Sequence, residues 1–242
     1  MRLQRSICIV FTLLISACST LPYSAETPPT KTDTTNDSAQ VVSYFNEVAF
    51  GSEFGSSNNR LRKWQEDVKI YVAGDSPAYL AFELSRIIKE LNELIQEVKL
   101  YRVDSRDEAN YVIYLGKAKG YEQIEPHAKS KTKDNWGLFW VYWNSDNTIH
   151  RGSMYVDTHR TESVNAQKHL LREELTQSLG LMNDSYRYKD SIFFQKWSYT
   201  NEFSAIDKRL IQLLYHPEVK AGMTKEAFKS LMQSGFNSEA SN

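Results

Sequence analysis

Apolar positions recur along this chain with periods of two and of about 3.6 residues, which predict strands interspersed with helices. Pro77 opens a helix, with Ser76 as its N-cap, and the apolar stripe of this helix continues to about Val98. A turn at residues 144–147 joins the last two predicted strands. The strands are predicted at residues 68–73, 111–115, 137–143 and 149–157.

The stretch from His169 to Gly180 predicts a helix whose sides differ in chemistry. His169, Glu173 and Gln177 follow one another at i+4 spacing, so they share one side of that helix. Gly180 is typical of a residue that ends a helix with a sharp turn. Adjacent carboxylates on a helix with an apolar side are costly to bury unless they have a role. The apolar side is formed by Leu170, Leu171, Leu175 and Leu179.

Helices are also predicted at both ends of the globular region. A short helix begins at Val41 and ends at Gly51. We therefore predict a globular domain over residues 41–223, followed by a C-terminal helix and tail at 224–242. Length and composition agree with one domain, since the 242 residues are 41% hydrophobic and 24% charged.

The first 17 residues have the pattern of a targeting segment. Arg2 and Arg5 precede a short apolar run, and the run is too short for a comfortable transmembrane helix. The sequence Ile15-Ser-Ala-Cys18 resembles a bacterial lipobox. That resemblance implies a signal peptide cleaved before Cys18, and a lipoprotein whose cysteine carries diacylglycerol and an acyl chain such as palmitate. The alternative is a plain secretory peptide with a chance cysteine.

Residues 18–40 are predicted to be the lipidated cysteine and a disordered tether. They are rich in Thr, Ser, Pro and Asp and contain almost no large apolar residues. Ser19 follows the cysteine, where lipoproteins retained in the inner membrane favour Asp. We therefore predict a lipid anchor in the outer membrane, with the domain facing the periplasm.

Charge and cysteine usage narrow the classes of function. The formal net charge of -1 gives no reason to expect a nucleic-acid partner. Of the two cysteines, Cys8 belongs to the signal peptide and Cys18 to the anchor. The mature domain is thus predicted to have no disulfide, no cysteine nucleophile and no thiolate metal site.

The predicted active helix resembles that of metzincin proteases, especially the matrixins, whose pattern is His-Glu-x-x-His-x-x-Gly-x-x-His. On that pattern Glu174 takes the place of the catalytic Glu, and Leu179-Gly180-Leu181 matches closely. A second resemblance is to the bacterial family called domain of unknown function 2927, grouped with zincin-like peptidases. It is carried by Phe45–Gly51, by residues 172–185, by Asp190–Phe193 and by Leu214–Pro217. The resemblances imply an α+β, zincin-like fold with a twisted mixed sheet packed on a long helix and an active-site-type helix, and a helical C-terminal part.

The resemblance implies a metal site at positions where this chain carries no histidine. Glu173 and Gln177 occupy the places of two histidine ligands, Asn183 that of the third, and Asp184 follows it. Such oxygen donors suit a divalent ion like Ca²⁺, Mg²⁺ or Mn²⁺ better than Zn²⁺. His169 with Glu173 is a further candidate chelating pair, although a plain polar residue near the helix start is the alternative.

Four functions remain open on the sequence alone. The first is a pseudo-peptidase, or a module that binds a periplasmic protein or peptide without cutting it. The second is an active metal-dependent peptidase in which Glu174 is the general base. The third is a structural lipoprotein, for which Cys18 matters and Glu174 does not, and the fourth is metal-free acid–base chemistry by the carboxylate pair. The interpretation of Glu173, Glu174 and Gln177 that requires no catalytic or metal-binding role is a buried polar network, hydrogen-bonded to the following loop.

Two residues outside the helix are candidates for substrate binding. Asp157 ends the strand before the helix, and Tyr186 lies in the loop after it. A turn role for Asp157 and a packing or exposed role for Tyr186 are the alternatives. Trp136, Trp140, Trp143 and Trp197 are predicted to lie in the core or along a cleft.

Overall fold

A six-stranded mixed sheet organises the part of the chain that the structure, a computed structural model, describes: residues 34–50, 60–196 and 198–234. The strands are β1 Lys63–Trp64, β2 Val68–Gly74, β3 Leu100–Arg102, β4 Tyr111–Leu115, β5 Gly137–Trp143 and β6 Thr148–Val156. The helices are α1 Thr34–Ala49, α2 Ala78–Leu94, α3 Ala118–Ile124, α4 Lys129–Thr132, α5 Val164–Gln177, α6 Ala205–Leu214 and α7 Lys225–Gln233.

The sheet combines parallel and antiparallel pairing. Its order is β1-β6-β4-β2-β3, with all these neighbours parallel, and β5 runs antiparallel to β6. The turn between β5 and β6 contains Asn147 at φ 70, a conformation that asparagine tolerates better than most residues. The predicted α+β class with a mixed sheet is confirmed.

Helices α2 and α5 pack together on the main hydrophobic core. Leu84, Ile87 and Leu91 of α2 are almost fully buried, as are Leu171 and Leu175 of α5. This is the long helix and the active-site-type helix that the sequence predicts. A smaller cluster packs on the opposite face of β5, where Leu138 contacts Tyr121 of α3 and Tyr155 of β6.

The ends of α2 differ from those predicted. Pro77 itself is the N-cap, without a side-chain bond, so the prediction of Ser76 in that role is wrong. The helix ends at Leu94, four residues before Val98. Asn92 explains the early end, because its side chain bonds both the N–H and the carbonyl of Leu100 at 2.8 Å and draws the chain into β3.

The helix α5 begins earlier than predicted. Ser163 is its N-cap and accepts a hydrogen bond from the Ala166 N–H. Gly180 follows the helix at φ 129, and a Cβ at this position would lie 2.1 Å from the Arg62 carbonyl oxygen. Only glycine fits there, so the chain turns sharply after α5 as the sequence predicts.

The terminal helices α1 and α7 belong to the same hydrophobic core. Helix α1 begins at Thr34, seven residues before the predicted start at Val41. Phe228 of α7 is fully buried and stacks on Phe45 of α1 at 4.5 Å between ring centroids. Helix α7 therefore packs directly on α1.

Several predictions concern residues outside the described ranges. These are the signal peptide, Cys18, the start of the tether, the helix end at Gly51, Trp197 and the tail at residues 235–242. Within the described ranges, no helix has both the length and the apolar character needed to cross a membrane.

Candidate functional site

A cavity of about 860 Å³ lies along α5, where the helix passes the beginning of β5. The turn after β6 and the segment that follows the loop after α5 complete its walls. The lining residues are Asp134–Gly137, Arg160–Ser163, Ala166, His169, Leu170, Glu173, Glu174, Gln177, Asp184, Phe194–Lys196 and Tyr199. The structure thus brings together Glu173, Glu174, Gln177 and Asp184, four of the predicted site residues.

His169 and Glu173 form a pair on the cavity side of α5. The His169 Nε2 atom lies 3.3 Å from Glu173 Oε2, while Nδ1 donates to the Thr200 carbonyl at 2.7 Å. Burial by itself lowers the pKa of His169, but Glu173, the Thr200 carbonyl and Asp184 together raise it above the ordinary value. Both ring nitrogens face acceptors, which favours the protonated imidazole.

Gln177 and Asp184 form a second pair one turn further along. The Gln177 Nε2 atom donates to Asp184 Oδ1 at 2.5 Å. The sharp turn at Gly180 makes this contact possible, because it brings the chain back beside the last turn of α5. The predicted polar network between the helix and the following loop is therefore present, with Asp184 as the loop partner of Gln177.

Glu174 lies beneath the first residue of β5. Its side chain is largely buried, and a Cβ added at Gly137 would lie 2.7 Å from Glu174 Oε1. Burial raises the pKa of the Tyr155 phenol, and the charge on Glu174 adds to that increase. A glycine at position 137 therefore leaves room for a carboxylate at the junction of helix and strand.

Asn183 is not part of the cavity, contrary to its prediction as a metal ligand. Its side-chain Nδ2 donates to the Glu47 carbonyl at 3.1 Å, and its backbone N–H donates to the Val48 carbonyl at 3.0 Å. These are carbonyls of the last turn of α1, which have no partner within their own helix. Asn183 thus serves as a cap of α1.

Neither predicted substrate-binding residue lines the cavity. Asp157 is 2% exposed and accepts the backbone N–H groups of His159 and Arg160, so the turn role is the one observed. It also pairs with Arg160 Nε at 2.7 Å. Tyr186 is 63% exposed and lies in the loop away from the cavity lining. Both residues therefore have the alternative roles named above.

The donors in the cavity do not fit a zinc site of the metzincin kind. Among the described residues, no group of three or more His, Cys, Asp or Glu side chains has an arrangement that could hold a metal ion. His169 is the one imidazole in the lining, and its two nitrogens face Thr200 and Glu173. A catalytic zinc centre requires three protein ligands with an open fourth position.

The sequence patterns missed the residues that close the cavity. Arg160 donates to the carbonyls of Thr132, Lys133 and Asn135, and so ties the turn after β6 to the segment before β5. The Asp157-x-x-Arg160 spacing in the sequence is typical of a turn held by an ion pair, and it could have indicated Arg160 as a residue of this connection. Trp136 was predicted as a possible cleft residue and does line the cavity. No sequence pattern predicts that Tyr199 lines the cavity, because its position depends on the path of the chain after the loop that follows α5.

Comparison with known proteins gives one family and several similar structures. The chain is similar to "Structure of Myroilysin" with a TM-score of 0.44 and 13% identity, covering 74% of this chain and 95% of that one. It is similar to "Crystal structure of myroilysin" with a TM-score of 0.42 and 12% identity, covering 73% and 95%. No curated protein matches. The family described as "Protein of unknown function (DUF2927)" matches residues 38–234, most of the chain, and the chain therefore belongs to the DUF2927 family.

Proposed function

We propose that this protein is an envelope-anchored module that binds an extended peptide or protein segment in the cavity along α5 and does not cut it. The proposal treats the cavity as a zincin-like cleft whose metal ligands are substituted. Glu173, Gln177 and Asp184 then hold the cleft in shape, and Glu174 forms its floor.

The observation that carries this proposal is the position of β5 beside the cavity. Strand β5 pairs with β6 on one side, and within the described ranges no strand pairs with its other side. The cavity begins where this strand begins, at Trp136 and Gly137. An extended segment can add to an open strand edge through main-chain hydrogen bonds while its side chains enter an adjoining pocket.

The side-chain pairing in the cavity supports binding over hydrolysis. A metallopeptidase needs ligands free to hold the ion and a base free to take a proton from water. Here His169 is engaged with Glu173, and Gln177 with Asp184. Glu174 is the residue that a peptidase would use as general base. A substitution of Glu174 therefore distinguishes peptide hydrolysis from peptide binding.

A test compares binding and cleavage in the same samples. The purified full chain is incubated with mixed peptides, with and without Zn²⁺, Mn²⁺ or Ca²⁺, and the peptides are analysed by mass spectrometry after separation of the bound fraction. We expect retained peptides of unchanged mass under every condition. Metal-dependent cleavage that disappears in Glu174→Gln would overturn the proposal and establish the peptidase instead.

A further inference from the structure

The cavity has an excess of negative charge. One arginine, Arg160, and one lysine, Lys196, are the permanent cations of the lining. Arg160 is already paired with Asp157 at 2.7 Å, and His169, when protonated, faces Glu173. The carboxylates of the lining outnumber these groups; they are Asp134, Glu162, Glu173, Glu174 and Asp184. A low-dielectric pocket lined in this way favours a cationic occupant.

Aromatic residues stand at the mouth of the same cavity. Trp136 is 40% exposed and Tyr199 is 57% exposed, and both belong to the lining. Aromatic faces near carboxylates are a common environment for ammonium and guanidinium groups, which they attract through the ring quadrupole. The aliphatic stem of a lysine or arginine can pack on such rings while its charged end reaches the carboxylates.

A buried hydroxyl in the lining also lacks a partner. Thr161 is 1% exposed, and its Oγ1 atom makes no hydrogen bond to any residue in the described ranges. A buried hydroxyl without a hydrogen-bond partner is unfavourable, because it has lost its bonds to water. A peptide group entering the cavity beside residues 160–163 can provide that missing bond.

We propose that the segment bound by this cleft carries a lysine or arginine, whose charged end lies among Glu173, Glu174 and Asp184 beneath Trp136 and Tyr199. The inference rests on the proposed peptide-binding function and names the class of its ligand. The peptide backbone lies along the open edge of β5, and the basic side chain enters the cavity next to Gly137.

The first experiment selects ligands without assuming their charge. A phage-displayed library of random heptapeptides is selected against the full chain, and a recovered peptide is titrated by fluorescence anisotropy. We expect recovered sequences enriched in Lys or Arg. Replacing that residue of the peptide by Gln should weaken binding by roughly tenfold or more, and added sodium chloride should weaken it too.

Variants of the protein then locate the charge effect. Glu174→Gln and Asp184→Asn should each weaken binding of the basic peptide. The same variants should have a smaller effect on binding of the peptide in which Gln replaces the basic residue. Glu93→Gln, which removes an exposed acid on α2, should leave both affinities unchanged. Melting curves identify any variant that fails to fold, and the salt dependence of the unsubstituted protein tests the charge effect independently of the variants.

The outcomes separate this inference from the function on which it rests. Recovered peptides without basic residues, bound equally well at high salt, would overturn the inference and leave peptide binding intact. A selection that recovers no binding peptide would overturn both. Equal losses in Glu93→Gln and Glu174→Gln would show an effect of net charge and would overturn the placement in the cleft.

Discussion

At the scale of single residues, two glycines beside the cleft differ in what surrounds them. A methyl group on Gly180 would meet the Arg62 carbonyl oxygen at 2.1 Å, which is backbone and cannot move freely. A methyl group on Gly137 would meet Glu174 Oε1 at 2.7 Å and Leu170 Cδ2 at 2.9 Å, which are the ends of flexible side chains. A change from glycine to alanine therefore tests the stability of the fold at position 180 and the shape of the cleft at position 137.

We predict that Gly180→Ala lowers the free energy of unfolding by more than about 2 kcal/mol, because it combines a backbone clash with an unfavourable φ of 129. Gly137→Ala should cost clearly less, since Glu174 can move, but it should disturb peptide binding. Urea unfolding of both variants measures the difference. Equal stability of the two variants would contradict the assigned role of Gly180.

His169 gives the cleft a pH dependence whose sign follows from its pKa. The pKa is raised in the folded protein, so the protonated imidazole stabilises the fold below the unfolded value of 6.5, and this contribution is lost as pH rises through the folded value. We predict that the stability difference between the unsubstituted protein and His169→Gln is larger at about pH 5.5 than at about pH 8.5.

Thermal unfolding across pH measures this difference, and imidazole NMR titration assigns it to His169. The groups that face the ring are Glu173, Asp184 and the Thr200 carbonyl. A difference that grows with increasing pH would mean that the folded state favours the neutral ring, and the pairing with Glu173 would need another explanation.

At the scale of elements, α2 and α5 are joined by a buried ion network as well as by apolar contacts. Arg172 of α5 is fully buried, and it contacts Glu83 at 3.1 Å and Glu90 at 2.6 Å, both on α2. Its guanidinium also lies 4.5 Å from the ring centroid of Phe203. Arg86 contributes a second cation to Glu83 at 2.7 Å. The network fixes α5, and hence the cleft, against α2.

We predict that Arg172→Met costs about 3–5 kcal/mol, because it leaves the carboxylate of Glu83 buried with weaker compensation. Lys89→Met removes an exposed partner of Glu93 and should cost less than about 1 kcal/mol. Adding Glu83→Leu to Arg172→Met should recover part of the loss. Chemical denaturation of the four proteins tests this, and a loss in Arg172→Met as small as that in Lys89→Met would refute it.

The elements show where sequence patterns suffice and where they fail. Helix α5 is predictable, since its leucines repeat at helical spacing and its polar residues follow at i+4. Glu173, Glu174 and Gln177 reach the cavity for that reason. Asn183 and Tyr186 lie beyond Gly180, where the path of the chain depends on bonds to α1, such as that from Asn183 to the Glu47 carbonyl. No local pattern records such a bond.

Long-range polar contacts were equally invisible in the sequence. Glu83 lies among the apolar residues of α2, yet it is buried in an ion pair with Arg172, which is 89 positions away in the sequence. The end of α2 has a similar cause, because Asn92 bonds to Leu100 and stops the helix. The periodicity of apolar residues predicts that a helix is present and which of its faces is apolar. The residues at which the helix begins and ends depend on tertiary contacts.

At the scale of the whole molecule, the proposed lipid anchor at Cys18 lies outside the residues that the structure describes, whose first helix, α1, begins at Thr34. The anchor is therefore tested by substitution.

The two cysteines provide a matched test of the anchor. We predict that Cys18→Ser releases the protein from the membrane fraction and abolishes metabolic labelling with palmitate, because the acylated thiol is lost. Cys8→Ser changes the other cysteine, within the predicted signal peptide, and should leave membrane fractionation and labelling unchanged. Membrane attachment of Cys18→Ser without palmitate would instead indicate that residues 1–17 remain as an uncleaved anchor. The peptide-binding cleft would in that case operate at the inner membrane, because a retained signal segment stays in the bilayer into which it was inserted.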